Sequence, residues 1–342
     1  MMKKFIFIFL ILSISLSLSA KKKYSVYAVG FYNVENLFDT EDDPAIEDED
    51  FTPTGVLSWT PYKYQKKLEN IAYVIDKMGK KYAPQGLAIL GVAEIENRRV
   101  LEDLVKTKTI ANKNYQIVHY DSPDKRGIDV ALLYDPQQFK VTSSKIYPYN
   151  DVDTSFHTRD HLLVSGLLAG EPTHVIVNHW PSRRGGDASS PKREHGAANV
   201  KHIADSIYKA DPTAKIIIMG DLNDDPTNKS CRVVLDAKKK QSEVKEGGLF
   251  NTMWEFYDKG IGSLGYKGQW NLFDQIIISK SLLNKDDSQL NFWKAEIFNR
   301  EFLITKEGKD KGYPHRTFRD NTFINGYSDH FPTLVYLVKE IN

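Results

Sequence analysis

Along this sequence, side chains able to bind cations or move protons recur where apolar, β-branched runs stop. The run through Phe31-Tyr32 gives way to Asn33-Val34-Glu35-Asn36, and Leu87–Ala93 ends directly in Glu94. His174–Val177 leads into Asn178-His179-Trp180-Pro181-Ser182, and Lys215–Gly220 leads into Asp221-Leu222-Asn223. Phe273-Asp274-Gln275 opens another run, and Ser328-Asp329-His330 precedes the last. A sheet holds its strand ends rigidly, so polar groups placed there can be aimed at one point. Their types suit hydrolysis of a phosphate ester. A hard cation (Mg2+, or Mn2+ or Ca2+ in its place) takes up charge from a nonbridging oxygen and prefers carboxylate oxygens, which Glu35, Glu94 and Asp329 offer. The attacking water needs orientation and a base, which suits a carboxylate beside an amide, here Asp221 and Asn223. Charge developing at phosphorus needs a donor, and His330 held by Asp274 is such a device.

These groups need a frame. Continuous runs such as Ile216-Ile217-Ile218-Met219 and Gln275-Ile276-Ile277-Ile278 suit strands covered on both faces. Further strands are expected over Ser25–Tyr32, Ile128–Tyr134, His161–Leu168, His174–His179 and Pro332–Val338. Thr60-Pro61, followed by Leu68, Ile71, Ala72, Ile75 and Met78, predicts a helix that Gly79 closes. A second helix is expected over Pro191–Ala210, with Ala197, Val200, Ile203, Ala204 and Ile207 as its apolar stripe. Helices come singly between strands, so the expectation is one mixed α/β domain over residues 24–342 with two central sheets and helices outside.

The N-terminus reads Met1-Met2-Lys3-Lys4, then an apolar run to Leu18 and small residues to Ala20. That pattern predicts a secretory signal peptide over residues 1–20, too short to span a bilayer comfortably, hence export to the periplasm or medium and no stable membrane insertion after cleavage. Cys231 is the single cysteine, so no intrachain disulfide can form. Lys and Arg number 46 against 45 Asp and Glu, so no global basic field marks a nucleic-acid coating protein. Any polyanion affinity must come from local patches and have a shallow salt slope. The acidic stretch Asp39–Asp50 reads as a solvated loop.

Taken in order and spacing, Asn33-Val34-Glu35, Glu94, Gly220-Asp221-Leu222-Asn223, Asp274 and Ser328-Asp329-His330-Phe331-Pro332 resemble the endonuclease/exonuclease/phosphatase superfamily, also called DNase I-like. The resemblance covers residues 24–342 and implies a four-layer α/β sandwich of two mixed β-sheets flanked by helices. It implies Glu94 as the main metal ligand with Glu35 assisting, Asp221 as the base or water-orienting group, and Asn223 as a phosphate holder. His330, paired with Asp274, would contact the scissile phosphate, His179 the phosphate or leaving group, and Asn33 would support the metal site.

Other residues keep two readings. Arg183, Arg184 and Arg193 follow His179 and form either a phosphate clamp or a solvated basic loop. Trp270, before the Asp274 strand, can press a base or sugar, although most aromatic residues here belong to core or sheet surfaces. His157 and His161 have a spacing that would suit zinc on a helix, but the residues after His161 read as a strand, where that spacing separates them. The functional expectation is an exported, monomeric, divalent-metal-dependent phosphodiesterase: a nuclease cutting DNA or RNA by in-line attack of a metal-positioned water. The alternative is a phosphatase or phosphodiesterase acting on lipid, sugar or inositol phosphate esters. A non-catalytic binding protein has little support, because every key position holds a competent residue.

Overall fold

The computed structural model describes residues 22–149 and 156–341; the expected signal peptide lies outside them. Strands are β1 (Lys23–Leu37), β2 (Leu87–Ile95), β3 (Gln116–His119), β4 (Asp129–Tyr134), β5 (Phe139–Tyr147), β6 (His161–Leu168), β7 (Glu171–His179) and β8 (Lys215–Asp221). They continue with β9 (Ala237–Lys238), β10 (Leu249–Asn251), β11 (Leu264–Tyr266), β12 (Gln269–Asn271), β13 (Asp274–Ser279), β14 (Asn291–Ile297), β15 (Phe318–Arg319), β16 (Thr322–Phe323) and β17 (Thr333–Ile341). Helices are α1 (Pro61–Lys77), α2 (Arg98–Lys106), α3 (Ser190–Ala210) and the short α4 (Trp254–Asp258).

A six-stranded sheet has the order β14-β17-β1-β2-β4-β3, and a seven-stranded sheet the order β5-β6-β7-β8-β13-β10-β9. Both are mixed: β1 and β2 run parallel, as do β7 and β8, while their other neighbours are antiparallel. Side chains alternate across a strand, and the two apolar clusters divide by that alternation. Val29 and Phe31, Val175 and Val177, Ile217 and Met219, and Ile276 and Ile278 belong to the cluster between the sheets. Ile176, Ile216, Ile218 and Ile277 face the other way and meet Ala197, Val200, Ile203 and Ala204 of α3. The sheets approach so closely at Gly91 that a Cβ there would lie 2.5 Å from the Met219 sulfur.

On the far side of the first sheet, α1 buries Leu68, Ile71, Ala72, Val74 and Ile75, and α2 buries Val100, Leu101 and Leu104. Thr60 caps α1 by accepting from the Lys63 amide, and Asn97 caps α2 by accepting from the Val100 amide at 3.1 Å. Each fully buried leucine or isoleucine contributes roughly 1.5–3 kcal/mol, so these stripes supply more of the helix stability than propensity does. The result is the expected layered order of helix, sheet, sheet, helix.

Some elements depart from the sequence reading. Helix α2 was not expected, because only nine residues carry its pattern and most are charged. Strands β3, β5 and β14 were not expected either; they lie at or end sheet edges, where one rim faces solvent and polar residues blur the alternation. Strand β1 continues past Tyr32 to Leu37 through a shift of register after Asn33.

Candidate active site

Alternation carries Asn33, His179, Asp221 and Asp274 onto the inner sheet faces, two residues beyond Phe31, Val177, Met219 or before Ile276. All lie at one end of the sandwich, since His179 pairs with Asp221 and Asp221 pairs with Asp274 across neighbouring strands. Asn33 reaches across from the first sheet and donates through Nδ2 to Asp221 Oδ2 at 3.0 Å. Its Oδ1 accepts from the Glu35 amide at 3.0 Å, which fixes which way the amide points.

Glu94 arrives by a different route. Gly91 faces Met219, so plain alternation would send Val92 and Glu94 outward. Glu94 instead has φ 62°, and the β2–β4 ladder shifts between Ala93 and Ile95. This bulge turns the carboxylate back into the site, as bulges beside functional sites do. There Glu94 Oε2 accepts from the Asn36 amide at 3.0 Å, while Oε1 lies 4.0 Å from His179 Nε2. Glu35, Asn36 and Asn223 also have positive φ, 54°, 48° and 49°. Left-handed backbone disfavours side chains, and its concentration at three strand ends marks where the fold tolerates strain to place polar groups.

The two histidines are held in opposite states. His330 Nδ1 lies 2.6 Å from Asp274 Oδ2, and its Nε2 is 3.8 Å from Asp221 Oδ2 and 3.8 Å from Asp329 Oδ1. Burial opposes its charge, but Asp274, Asp329 and Asp221 together raise its pKa well above the ordinary histidine value. His179 is buried with Nε2 3.7 Å from Asp221 Oδ2, and its Nδ1 has no hydrogen-bond partner among the described residues. Burial, reinforced by Arg159, Arg126 and His330, keeps its pKa well below the ordinary value, so the ring is neutral. Asp221 sits between them; burial pushes its pKa up to about 7 against the pull of His330.

Sequence reasoning missed the cations around Glu35. Arg316 donates to Glu35 Oε1 at 3.0 Å through Nε and lies 3.2 Å from Asp329 Oδ2 through Nη2. The Thr317 amide donates to Glu35 Oε2 at 2.7 Å. Lys67 of α1, fully enclosed, lies 3.8 Å from the same oxygen and donates to the Tyr327 carbonyl at 2.8 Å. Burial lowers the Lys67 pKa to about 8 despite Glu35 and Asp329. Only separation in sequence hid these partners: Arg316 stands 281 residues from Glu35.

Several expected site residues have other attachments. Asn223 donates through Nδ2 to the Trp180 carbonyl at 2.9 Å, and its amide donates to Asp221 Oδ1 at 2.9 Å. Arg183 binds the Asn223 carbonyl, Asp225 and Asn228 and lies over the Phe273 ring, bracing the loop behind Asp221. Arg193 is buried against Asp224 and the Pro181 and Ser182 carbonyls, so it does not belong to a clamp. Arg184 is exposed, with no hydrogen bond or ion pair on its side chain among the described residues. Trp270 is half-exposed on β12, stacked 5.9 Å from Phe331, the residue after His330.

The donor set suits a hard divalent cation. Glu94, Glu35 and Asp329 offer oxygens only, and Glu94 Oε1 accepts no hydrogen bond among the described residues. Asp221, Asp274 and His330 also gather closely enough to hold an ion. Within that group the 2.6 Å His330–Asp274 contact is a hydrogen bond, which engages His330 Nδ1 and Asp274 Oδ2 with each other.

Residues 28–339 match the model of the endonuclease/exonuclease/phosphatase family. The chain belongs to that family. It is therefore a phosphoric ester hydrolase of a family that works with divalent metals. No curated protein matches the sequence at a significant level. Among solved structures, an endonuclease/exonuclease/phosphatase family protein from Bacteroides thetaiotaomicron is 15% identical with a TM-score of 0.55, over 93% of this chain and 100% of that one. A mannosyl-6-phosphatase from the same organism is 15% identical with a TM-score of 0.54, over 91% and 99%. D. rerio TDP2 complexed with single strand DNA product is 15% identical with a TM-score of 0.53, over 92% and 99%. At these identities the likeness establishes the fold.

Proposed function

We propose that this endonuclease/exonuclease/phosphatase family member is an exported Mg2+-dependent nuclease that hydrolyses DNA or RNA phosphodiesters. The observation that carries it is Asp221, buried between a neutral His179 and a charged His330 and tethered by Asn33. In this reading Asp221 Oδ2 takes a proton from the attacking water as the water oxygen bonds to phosphorus and the ester oxygen opposite departs. His330, its charge maintained by Asp274, donates from Nε2 to a nonbridging phosphate oxygen. Neutral His179 offers its Nε2 hydrogen to the phosphate or the leaving oxygen. A divalent ion held by Glu94, with Glu35 and Asp329 beside it, supplies further positive charge to the phosphate when bound. Asn33 positions Asp221, and Asn223 holds the Trp180 loop against it. Trp270 borders the substrate beside Phe331, Arg184 borders it only beyond the scissile phosphate, at the neighbouring cavity, and Arg183 supports the Asp225 loop.

The catalytic domain spans residues 24–342 after a signal peptide at 1–20, and the mature chain acts as a monomer in the periplasm or medium. Single-strand DNA bound to the TDP2 neighbour supports a nucleic-acid substrate; the mannosyl-6-phosphatase neighbour supports a second reading, hydrolysis of sugar phosphates. A supercoiled-plasmid nicking assay on the chain from Lys21 separates them. Nicking with Mg2+ that EDTA and Glu94→Ala both abolish is the expected result. A folded protein that leaves plasmid and RNA intact but releases phosphate from a sugar phosphate sinks the nuclease reading.

A further inference from the structure

Beside the reacting groups lies a cavity of about 470 Å³ whose wall includes Lys125, Arg126, His157, Arg159, Arg184 and Lys192. Its one acidic wall residue, Asp124, is already neutralised by Arg159 at 2.9 Å. Lys125 and Arg184 are exposed, and their side chains have no hydrogen bond or ion pair among the described residues. Two enclosed donors of wall residues also lack partners among the described residues: Thr158 Oγ1, in a residue 2% exposed, and Arg159 Nε, in a residue 8% exposed. Positive charge without counter-charge, together with buried donors without acceptors, describes an anion site with several acceptor oxygens.

Two residues of its wall touch the neighbours of the catalytic candidates. Arg126, in its wall, donates to the Asn36 side chain and lies 4.0 Å from Glu94 Oε2. Arg159 donates through Nη2 to the Trp180 carbonyl at 2.7 Å, the same carbonyl that accepts from the Asn223 side-chain Nδ2. Pro181 and Ser182, next in the chain after His179-Trp180, complete the wall.

We propose that this cavity binds a second phosphate of the substrate, adjacent to the scissile one. The site rests on the phosphoesterase reading, and its two sources are the neighbouring phosphate of a polynucleotide strand and the other phosphate of a small bisphosphate ester. Unlike Arg183 and Arg193, whose guanidinium groups are committed to Asp224, Asp225 and loop carbonyls, Arg184 is free to bind it. Thr158 and Arg159 recognise its oxygens from the floor.

The test uses the mature chain and two substitutions that spare the core, Arg184→Ala and Thr158→Val. Pyrophosphate is titrated into metal-free protein in EDTA by calorimetry, and kinetics follow on a single-stranded oligonucleotide, on a hexose bisphosphate and on bis(p-nitrophenyl) phosphate, whose lone phosphodiester has no neighbour. The expected result is pyrophosphate binding that either substitution weakens about tenfold, with KM raised about tenfold for the substrate that has a second phosphate and kcat within twofold. The ratio of its kcat/KM to that for bis(p-nitrophenyl) phosphate falls by the same factor. Whichever of oligonucleotide or hexose bisphosphate shows that loss is the source. If only the bisphosphate is cut and shows it, the nuclease reading fails while the second-phosphate site stands. Pyrophosphate binding that ignores both substitutions, or equal losses on all substrates, overturns the site.

Discussion

Two imidazoles less than 4 Å from one carboxylate would ordinarily titrate alike, yet His330 is charged and His179 neutral. The difference lies in what each ring touches. His330 has Asp274 on its far nitrogen, whereas the His179 far nitrogen has no hydrogen-bond partner among the described residues, and arginines stand nearby. A pH profile reads both states. The proposed base Asp221 must be a carboxylate to take a proton, and with its pKa up at about 7, kcat/KM with Mg2+ is expected to rise as pH passes through neutrality. The profile then holds until the raised His330 loses its proton in the alkaline range. Asp221→Asn removes the proposed base and is expected to lower kcat by about 10²–10⁴-fold, the usual contribution of a positioned acid or base. Asp274→Asn is a sharper test. Losing the partner carboxylate brings the alkaline limb down by about 1–3 pH units, because an opposite charge at hydrogen-bond distance supports a histidine by about that much. An unmoved alkaline limb in Asp274→Asn would show that His330 is not the group it reports.

Strand ends opposite the active site are held by a different device. Glu171, opening β7, accepts from Lys215 of β8 at 2.6 Å and from Lys339 of β17 at 2.8 Å, so one carboxylate ties the second sheet to the first. Its other bond comes from the Leu290 amide at 2.9 Å. Burial alone would raise the Glu171 pKa, but the two lysines outweigh it and hold the carboxylate below the usual glutamate range. A depressed carboxylate stabilises fully above its unfolded pKa and loses that contribution as pH falls through the folded value. Glu171→Gln is therefore expected to cost about 1–3 kcal/mol at pH 7, as losing charge-assisted hydrogen bonds does. The gap to wild type should close below about pH 4, near the ordinary glutamate pKa. Urea unfolding at pH 7, 5 and 3.5 measures this. The sheets meet with no slack at Gly91 either, where a methyl group would collide with Met219. Gly91→Ala should lower stability by about 1–3 kcal/mol through overpacking.

For the molecule as a whole, a net charge of +1 conceals strong segregation. Glu35, Glu94, Asp221, Asp274 and Asp329 converge at one end, and the cavity beside them is lined with lysine and arginine. Convergent carboxylates repel one another, so an ion bound among them stabilises the folded chain. Adding Mg2+ at about 100 times its dissociation constant should raise stability by about 2.7 kcal/mol. EDTA should reverse the rise, and Glu94→Ala should abolish it, both visible by calorimetry without substrate. A melting temperature indifferent to Mg2+ would count against the ion site at Glu94. Among the described residues no helix is long and apolar enough to cross a membrane.

The sequence by itself determined the family, the layered fold and the types of chemistry at the strand ends. Those features are local: a strand two residues beyond Phe31 or Met219 must present Asn33 or Asp221 on the same face, whatever else the chain does. The helix stripes of α1 and α3 are local in the same sense. Tertiary structure alone decided the rest. Glu94 faces the site only because a left-handed residue breaks the alternation that would have turned it outward. Lys67 and Arg316 reach Glu35 from remote segments, and Arg183 and Arg193, which the sequence left open as clamp or solvated loop, turn toward buried carboxylates, leaving Arg184 at the cavity. Spacing reports which face of a strand a side chain takes, but a buried charge goes to whichever counter-charge the folded chain brings nearest, and that partner can lie anywhere in the sequence.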